Sequence, residues 1–303
     1  MPSNASPTPD TAANSAANTS APVRRIARRP FWLRVLGTVN GAIGGAIVFV
    51  LILSAALAGW IAPYPPAKMA VGGRFGLPQA AHPLGTDEFG RDLFSRIVFG
   101  SRLTLTIGAI AVGISLIAGL AVGLTAAYRR GWVETVLMRS SDVLFSFTET
   151  LIALACVAVL GPSLQNAMIA VGIAGIPFYA RTCHSAALVE VSKPYFEASV
   201  AAGAGHARLV FVHLLPNVFP TMVVVATLGV SSAILAAAGL SFLGLGAQPP
   251  DPEWGLMLSG AAHYLNRAPW LMVVPGLSIA VTVLGFNLLG DAIRSAMDPR
   301  RQG

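Results

Sequence analysis

The chain has 303 residues, 54% hydrophobic and only 11% charged, with a mean hydropathy of +0.68. Soluble domains carry about 25% charged residues, so this balance excludes an ordinary soluble protein and points to one embedded in a lipid bilayer. The net charge of +7 would suit nucleic acid only on a basic face of a soluble fold, so no nucleic-acid partner is expected. Among membrane spans the same charge reports which side the arginines occupy.

In chain order, Met1 to Pro22 is rich in Ala, Ser, Asn, Thr and Pro, carries one charge (Asp10) and no aromatic residue. Such a segment cannot bury enough surface to fold, so residues 1–29 are expected to form a disordered tail. It is not expected to be a cleaved signal peptide, because the basic cluster Arg24, Arg25, Arg28, Arg29 and Arg34 leads into a hydrophobic window too long for one.

Six apolar windows follow: Val39 to Ile61, Thr104 to Tyr128, Val143 to Gly161, Leu164 to Ala180, Asn217 to Ala238 and Trp270 to Ile293. At ~1.5 Å per residue each covers roughly the 30 Å hydrocarbon layer, the fourth least comfortably. Of the 20 Lys and Arg, only Lys68, Arg74, Arg91, Arg96, Arg102 and Arg267 fall in the segments on one side. The other side is therefore predicted to be cytoplasmic by the positive-inside rule, and both termini with it.

Two outer segments are long, Pro63 to Leu103 and Gly239 to Pro269. In the first, Leu93, Phe94, Ile97 and Val98 share one helical face while Arg91 and Ser95 take the other, which predicts an amphipathic helix leading into the second span. Asp87, Glu88 and Asp92 would complement its N-terminus. Contact with a partner and anchoring at the interface both fit this pattern.

Several chemistries lack their residues. A nucleotide site needs a glycine-rich loop followed by lysine, and neither Lys68 nor Lys193 follows one, so any ATP must be hydrolysed by another polypeptide. No HExxH or GxSxG pattern exists, and His206 and His213 stand two helical turns apart, too far to share one metal. No catalytic residue, metal or cofactor is assigned. Cys156 and Cys183 have no ligand spacing and read as small buried residues.

The predicted cytoplasmic connection between the fourth and fifth spans holds "YFEASVAAGAGHARLVFVHLLPN", Tyr195 to Asn217. Pro194 suits a first helical turn. Tyr195 to Ala202 is predicted helical with Phe196 and Val200 on one face, Gly203 and Gly205 bracket a corner, and a second helix from His206 is expected to stop at Pro216. On the residues alone, an interfacial hairpin and a helix that docks into a partner's groove fit equally well.

The series Glu197, Ala198, Ser199, then Gly203, then Leu215 and Pro216 resembles the EAA loop of ABC-importer permeases, with Ser199 in place of the second alanine. The resemblance implies that this loop, which also holds His213, is the coupling helix seated in a cleft of an ATPase subunit. "HPLGTDEFGRDLFSRIVFGSRLTL" (His82 to Leu105), "GLSFLGLGAQPPDPEWG" (Gly239 to Gly255), "APWLMVVPGL" (Ala268 to Leu277) and "FNLLGDAIRSAMDPR" (Phe286 to Arg300) are similar to the second permease subunit of dipeptide, oligopeptide and nickel ABC importers.

The resemblance runs from about Arg29 to Arg301. It implies an all-α membrane protein of the type I importer permease fold with six transmembrane helices. Residues 30–100 would hold the first span and an outer loop, 101–293 the permease domain and 294–303 a cytoplasmic tail. It also implies a second homologous permease subunit, two ABC ATPase subunits and an external solute-binding protein. The function so implied is an inner-membrane permease that moves peptides or similar solutes inward while its partners hydrolyse ATP. A secondary transporter or channel is the alternative, although the internal repeats typical of that class are not seen.

Two departures stand out. Where the family has "FPS" in the third span this chain has "FTE", which puts Glu149 about two turns, or ~9 Å, into the bilayer. An acid there costs about 2.5 to 3.5 kcal/mol, so Glu149 is expected to face protein or a water-filled translocation path, where it could bind a cationic group. Before "GLSFLGLG" an acid of the family is replaced by Ala236, Ala237 or Ala238. In the last span Asn287 is a candidate for a helix contact or for the path, and Asp291 for a salt bridge with Arg294.

Overall fold

The computed structural model describes residues 31–297. The tail expected to be disordered and the terminal arginines Arg300 and Arg301 lie outside the described residues. Among those described, every regular element is a helix.

Helix α1 (Phe31–Leu36) turns at Gly37 and Thr38 into α2 (Val39–Ala56), where the Thr38 side chain accepts the Gly41 N–H at 3.1 Å. A short α3 (Ala58–Ile61) completes the first expected window after a break at Leu57. Phe49 and Val50 on α2 are 65% and 62% exposed. Outward apolar side chains of this kind are costly in water and neutral in lipid, which is the physical signature of a spanning helix.

The second window is part of α4 (Leu93–Arg129), 37 residues and ~55 Å long. The amphipathic helix expected before it is its first turns, started by Asp92, which accepts the Ser95 N–H at 2.8 Å. The expected polar face is not free. Arg91 and Ser95 are buried together with Leu93 and Val98, because residues 62–92 fold over this end of the helix. His82 pairs with Asp92 at 3.0 Å, Arg91 with Asp87 at 2.6 Å, and Arg96 donates to the carbonyls of Pro66 and Asp251.

The third window, Val143 to Gly161, is not one helix. It divides between α5 (Gly131–Phe145) and α6 (Glu149–Leu160), which meet at 90° across Ser146 to Thr148. The reason lies in α5, whose Glu134 and Asp142 pair with His184 at 2.8 Å and Arg181 at 2.5 Å. Those pairs hold α5 against the latter half of α7, turned away from the direction of α6. Helix α6 alone rises only ~18 Å, short of the hydrocarbon thickness.

Helix α7 (Leu164–Val191) begins at Ser163, whose side chain accepts the Asn166 N–H, and runs eleven residues past the expected end at Ala180. It crosses α4 closely. A Cβ on Gly119 would stand 2.4 Å from Tyr179 Cβ, and one on Gly123 2.6 Å from the Ala180 carbonyl. Small residues four apart allow such an approach in a membrane, where packing rather than water drives association. Ser115 Oγ fastens the crossing by donating to the Gly172 carbonyl at 2.6 Å.

After α8 (Pro194–Ala201), a helical turn α9 (His206–Arg208) passes through a π-helical segment (Leu209–Leu214) into α10 (Leu215–Phe242). The stop expected at Pro216 therefore does not occur. The π turn displaces the hydrogen-bond register, with Leu215 N–H reaching the Val210 carbonyl, and Pro216 falls in the first turn of α10, where its missing N–H costs little. Helix α11 (Trp254–Ala262) caps the end bearing residues 62–92, and α12 (Trp270–Met297) returns through the bundle.

Buried residues of α4, α6, α7 and α10, among them Ile107, Val157, Val171 and Met222, form the main core. Val39–Ala56, Leu93–Arg129, His206–Phe242 and Trp270–Met297 are long and apolar enough to cross a membrane individually, and the bent α5–α6 pair only together.

Candidate functional site

Two regions gather the residues singled out by sequence. The first is α8 with the corner after it. Pro194 occupies the first helical turn, with Lys193 as the extended residue before it, as expected. Phe196 is 4% exposed and joins the main core, while Val200, expected on the same face, is 51% exposed. One aromatic anchor thus holds the helix, and its other residues, Ser199 apart, are exposed. Glu197 and Ala198 are exposed and Ser199 half-buried, its hydroxyl donating to the Tyr195 carbonyl at 2.8 Å. Among the described residues Glu197 makes no ion pair.

The corner rests on Gly203, whose φ of +78° is left-handed and costs glycine nothing. Gly205 has ordinary extended geometry and simply precedes α9. Leu209 and Leu214 bury into the main core, and Leu215 and His213 are half-buried. His213 contributes through its carbonyl, which accepts from Asn217 Nδ2 at 2.6 Å. His206 instead pairs with Tyr128 at the end of α4, so the two histidines do not converge, and no cluster of three potential metal ligands forms among the described residues.

Behind α8 the chain is tied down by contacts that spacing did not reveal. Glu190, near the end of α7, accepts from Lys193 Nζ at 2.5 Å and Tyr195 Oη at 2.8 Å. Desolvation, together with that bond to Glu190, pushes the Tyr195 phenol up to about 12. It therefore stays protonated and able to donate throughout the physiological range.

The second region is a pair of cavities between helices that open to the surface of the chain, where Glu149 and Ser232 are exposed. The larger, about 980 Å³, lies between α7, α10 and α12 and is lined by Thr182, Thr221, Ser232, Asn287 and Arg294. The smaller, about 150 Å³, lies among α4, α6, α7 and α10 and is lined by Ser115, Glu149, Tyr179 and Ser232. They share Phe178, Gly229 and Ser232, so the structure brings Glu149 and Asn287, 138 positions apart, to two adjoining cavities.

Glu149 opens α6 rather than lying two turns inside a straight span, and a carboxylate in a first turn is favoured by the helix dipole. Its Oε1 comes to 3.8 Å from where a Cβ on Gly175 would stand. Asn287 is half-buried and makes no side-chain hydrogen bond among the described residues. Asp291 and Arg294, expected to pair, do not; both are exposed at the end of α12.

Tyr179 and Ser232 were not found by sequence reasoning. Each sits within an apolar helix, and only the crossing of α7 and α10 makes them neighbours. Among the described residues the buried Tyr179 hydroxyl has no hydrogen-bond partner, and it is pressed against Gly229 so closely that a Cβ there would be 1.9 Å away.

Comparison with known proteins then supplies a frame for this geometry. Residues 119–303 match the family model described as binding-protein-dependent transport system inner membrane component. The chain is 46% identical over 268 residues to the di/tripeptide transport system permease protein DppC of Pseudomonas aeruginosa, covering 86% of this chain and 88% of that protein. It is 42% identical to the dipeptide transport system permease protein DppC of Escherichia coli K12, covering 93% and 96%. It is 41% identical to the glutathione transport system permease protein GsiD of Pectobacterium atrosepticum, covering 90% and 91%. In fold it is similar to a chain of the inward-facing MetNI methionine ABC transporter, with a TM-score of 0.56 at 21% identity over 67% of this chain and 97% of that one.

Proposed function

This chain belongs to the binding-protein-dependent transport system inner membrane component family, as a multi-pass inner-membrane permease subunit of an ABC importer, and from that membership we propose how its parts divide the work. It forms half of a translocation pore with a second, homologous permease subunit. Two ABC ATPase subunits bind on the cytoplasmic side, and an external solute-binding protein delivers the solute on the other. Six membrane crossings, with α5–α6 counted as one bent crossing and α7 as another, put both termini in the cytoplasm. Residues 101–293 are the permease domain.

The element that meets the ATPase is α8, with Glu197, Ala198 and Ser199 on the docking helix, Gly203 at its corner, and His213, Leu215 and Pro216 at the root of α10. The observation that carries this reading is the exposure of α8 around its single buried anchor, Phe196. A helix held by one aromatic residue presents an outward face to a groove, and its rigid connection through Leu209 and Leu214 into α10 would pass a partner's movement to the bundle. Glu149 and Asn287 line the path, and the solute is a short peptide or a related compound, as the relatives' names suggest.

Charge reversal tests the docking assignment. Glu197→Lys is expected to lower ATP-driven uptake by at least tenfold in proteoliposomes and to weaken co-purification of the ATPase subunits. Normal assembly together with normal uptake would overturn it.

A further inference from the structure

We propose that the small cavity between α4, α6, α7 and α10 is a subsite for the primary ammonium group of the solute, with Glu149, Tyr179 and Ser232 as its acceptors. The proposal rests on the reading of Glu149 and Asn287 as lining the path. It adds what that reading leaves open, which is the chemistry that the path selects and the residues that select it.

Size comes first. Small-molecule pockets run from about 300 to 1,000 Å³. The cavity of about 150 Å³ is too small for a peptide but ample for one ammonium group and the carbon that bears it. The adjoining cavity of about 980 Å³, reached past Gly229 and Ser232, has room for the rest of the solute.

Composition comes next. A primary ammonium has three N–H donors and needs three acceptors. The cavity supplies one carboxylate, from Glu149, and two hydroxyls free to take part, from Tyr179 and Ser232. Ser115 also lines it, but its hydroxyl is committed to the Gly172 carbonyl. A metal ion would want more than one carboxylate or imidazole, and no such cluster is present among the described residues.

The independent pointer is Tyr179. The residue is only 4% exposed, and among the described residues its hydroxyl has no partner although it borders the cavity. A buried hydroxyl left unsatisfied costs stability and is rare in native proteins. A ligand donor arriving in the cavity would satisfy it. Gly229 is the residue that makes room for the hydroxyl to stand there, since any larger side chain would occupy its place.

The test uses the purified, assembled importer with Cys156 and Cys183 replaced by alanine and Ser232→Cys as the reporter. Its rate of modification is measured with cationic 2-aminoethyl methanethiosulfonate and anionic 2-sulfonatoethyl methanethiosulfonate. Relative to a free thiol, the cationic reagent is expected to be favoured about tenfold further, and the preference to fall to that of a free thiol in Glu149→Gln, because the carboxylate lines the same cavity as the reporter. Dialanine is expected to protect the reporter, and N-acetyl-dialanine not to. In Tyr179→Phe the charge preference should persist while protection by dialanine weakens.

A preference unchanged by Glu149→Gln would overturn the subsite and assign the carboxylate to an ion pair with a neighbouring chain. Equal protection by both peptides, or by neither, would overturn it as well. Those results leave the path reading standing. A reporter that reacts with neither reagent would sink the path reading too, since the cavity would then be closed to water.

Discussion

Tyr179 and Gly229 form a lock whose energetics can be measured apart from transport. A Cβ on Gly229 would lie 1.9 Å from the Tyr179 hydroxyl oxygen but 3.1 Å from Cζ, so the clash belongs mainly to that one oxygen. Gly229→Ala is expected to destabilise the protein by about 1–3 kcal/mol, the usual range for overpacking. Tyr179→Phe alone should cost nothing or stabilise, because it removes an unsatisfied buried hydroxyl. In Gly229→Ala/Tyr179→Phe most of the loss should be recovered, and thermal unfolding of the four proteins in detergent measures that coupling. Neither residue was legible in the sequence, where a tyrosine and a glycine 50 positions apart in two apolar helices carry no pairing signal. Glu149, by contrast, announced itself as a lone acid in an apolar run, although it opens α6 instead of lying two turns inside a straight span.

At the scale of elements, α11 depends on Glu253, which is 2% exposed and whose carboxylate accepts the N–H groups of Gly255 at 3.0 Å and Leu256 at 2.7 Å. Glu253→Ala should remove this cap at a cost of about 0.5–2 kcal/mol. Burial outweighs those hydrogen bonds and raises the Glu253 carboxyl above its ordinary value of 4.5. The sign follows from linkage. An acid whose folded pKa is raised contributes stability that is full below about 4.5 and is lost as pH rises through the raised value. The wild-type melting temperature should therefore decline relative to Glu253→Gln as pH rises from 4.5 through that range, and a constant difference would show that the cap compensates the burial.

The elements also show where pattern reading stops. The bend between α5 and α6 was hidden because Val143 to Gly161 is apolar enough to read as one span, while the ion pairs that turn α5 aside come from α7. Pro216 misled for a local reason. A proline ends a regular α-helix, but the π turn before it had already changed the register. The corner at Gly203 was legible, because a left-handed residue is chosen by the backbone itself.

For the whole molecule, the orientation proposed from arginine placement predicts opposite reporter behaviour at the two ends. Cysteines introduced in the α8–α9 corner should resist a membrane-impermeant maleimide in intact cells. Cysteines at exposed positions of residues 62–92 should react once the outer membrane is permeabilised. The reverse pattern would invert the topology and with it the assignment of α8 to the ATPase side. The length of α4, ~55 Å, makes the distinction sharp, since its two ends stand well beyond a hydrocarbon layer.

Composition and hydrophobic windows alone determined that this chain belongs in a bilayer, and the resemblance of five separate segments to importer permeases, the Glu197 to Pro216 loop among them, set which family to expect. Both are local properties, written in runs and intervals that a linear reading can count. Tertiary structure decided the rest: that α5 turns away from α6, that Arg91 and Ser95 are sealed under a loop, and that Glu149, Tyr179, Ser232 and Asn287 border two adjoining cavities. In an apolar layer the stretches facing lipid, protein and cavity share nearly one composition. Only the packing of one helix against another tells them apart.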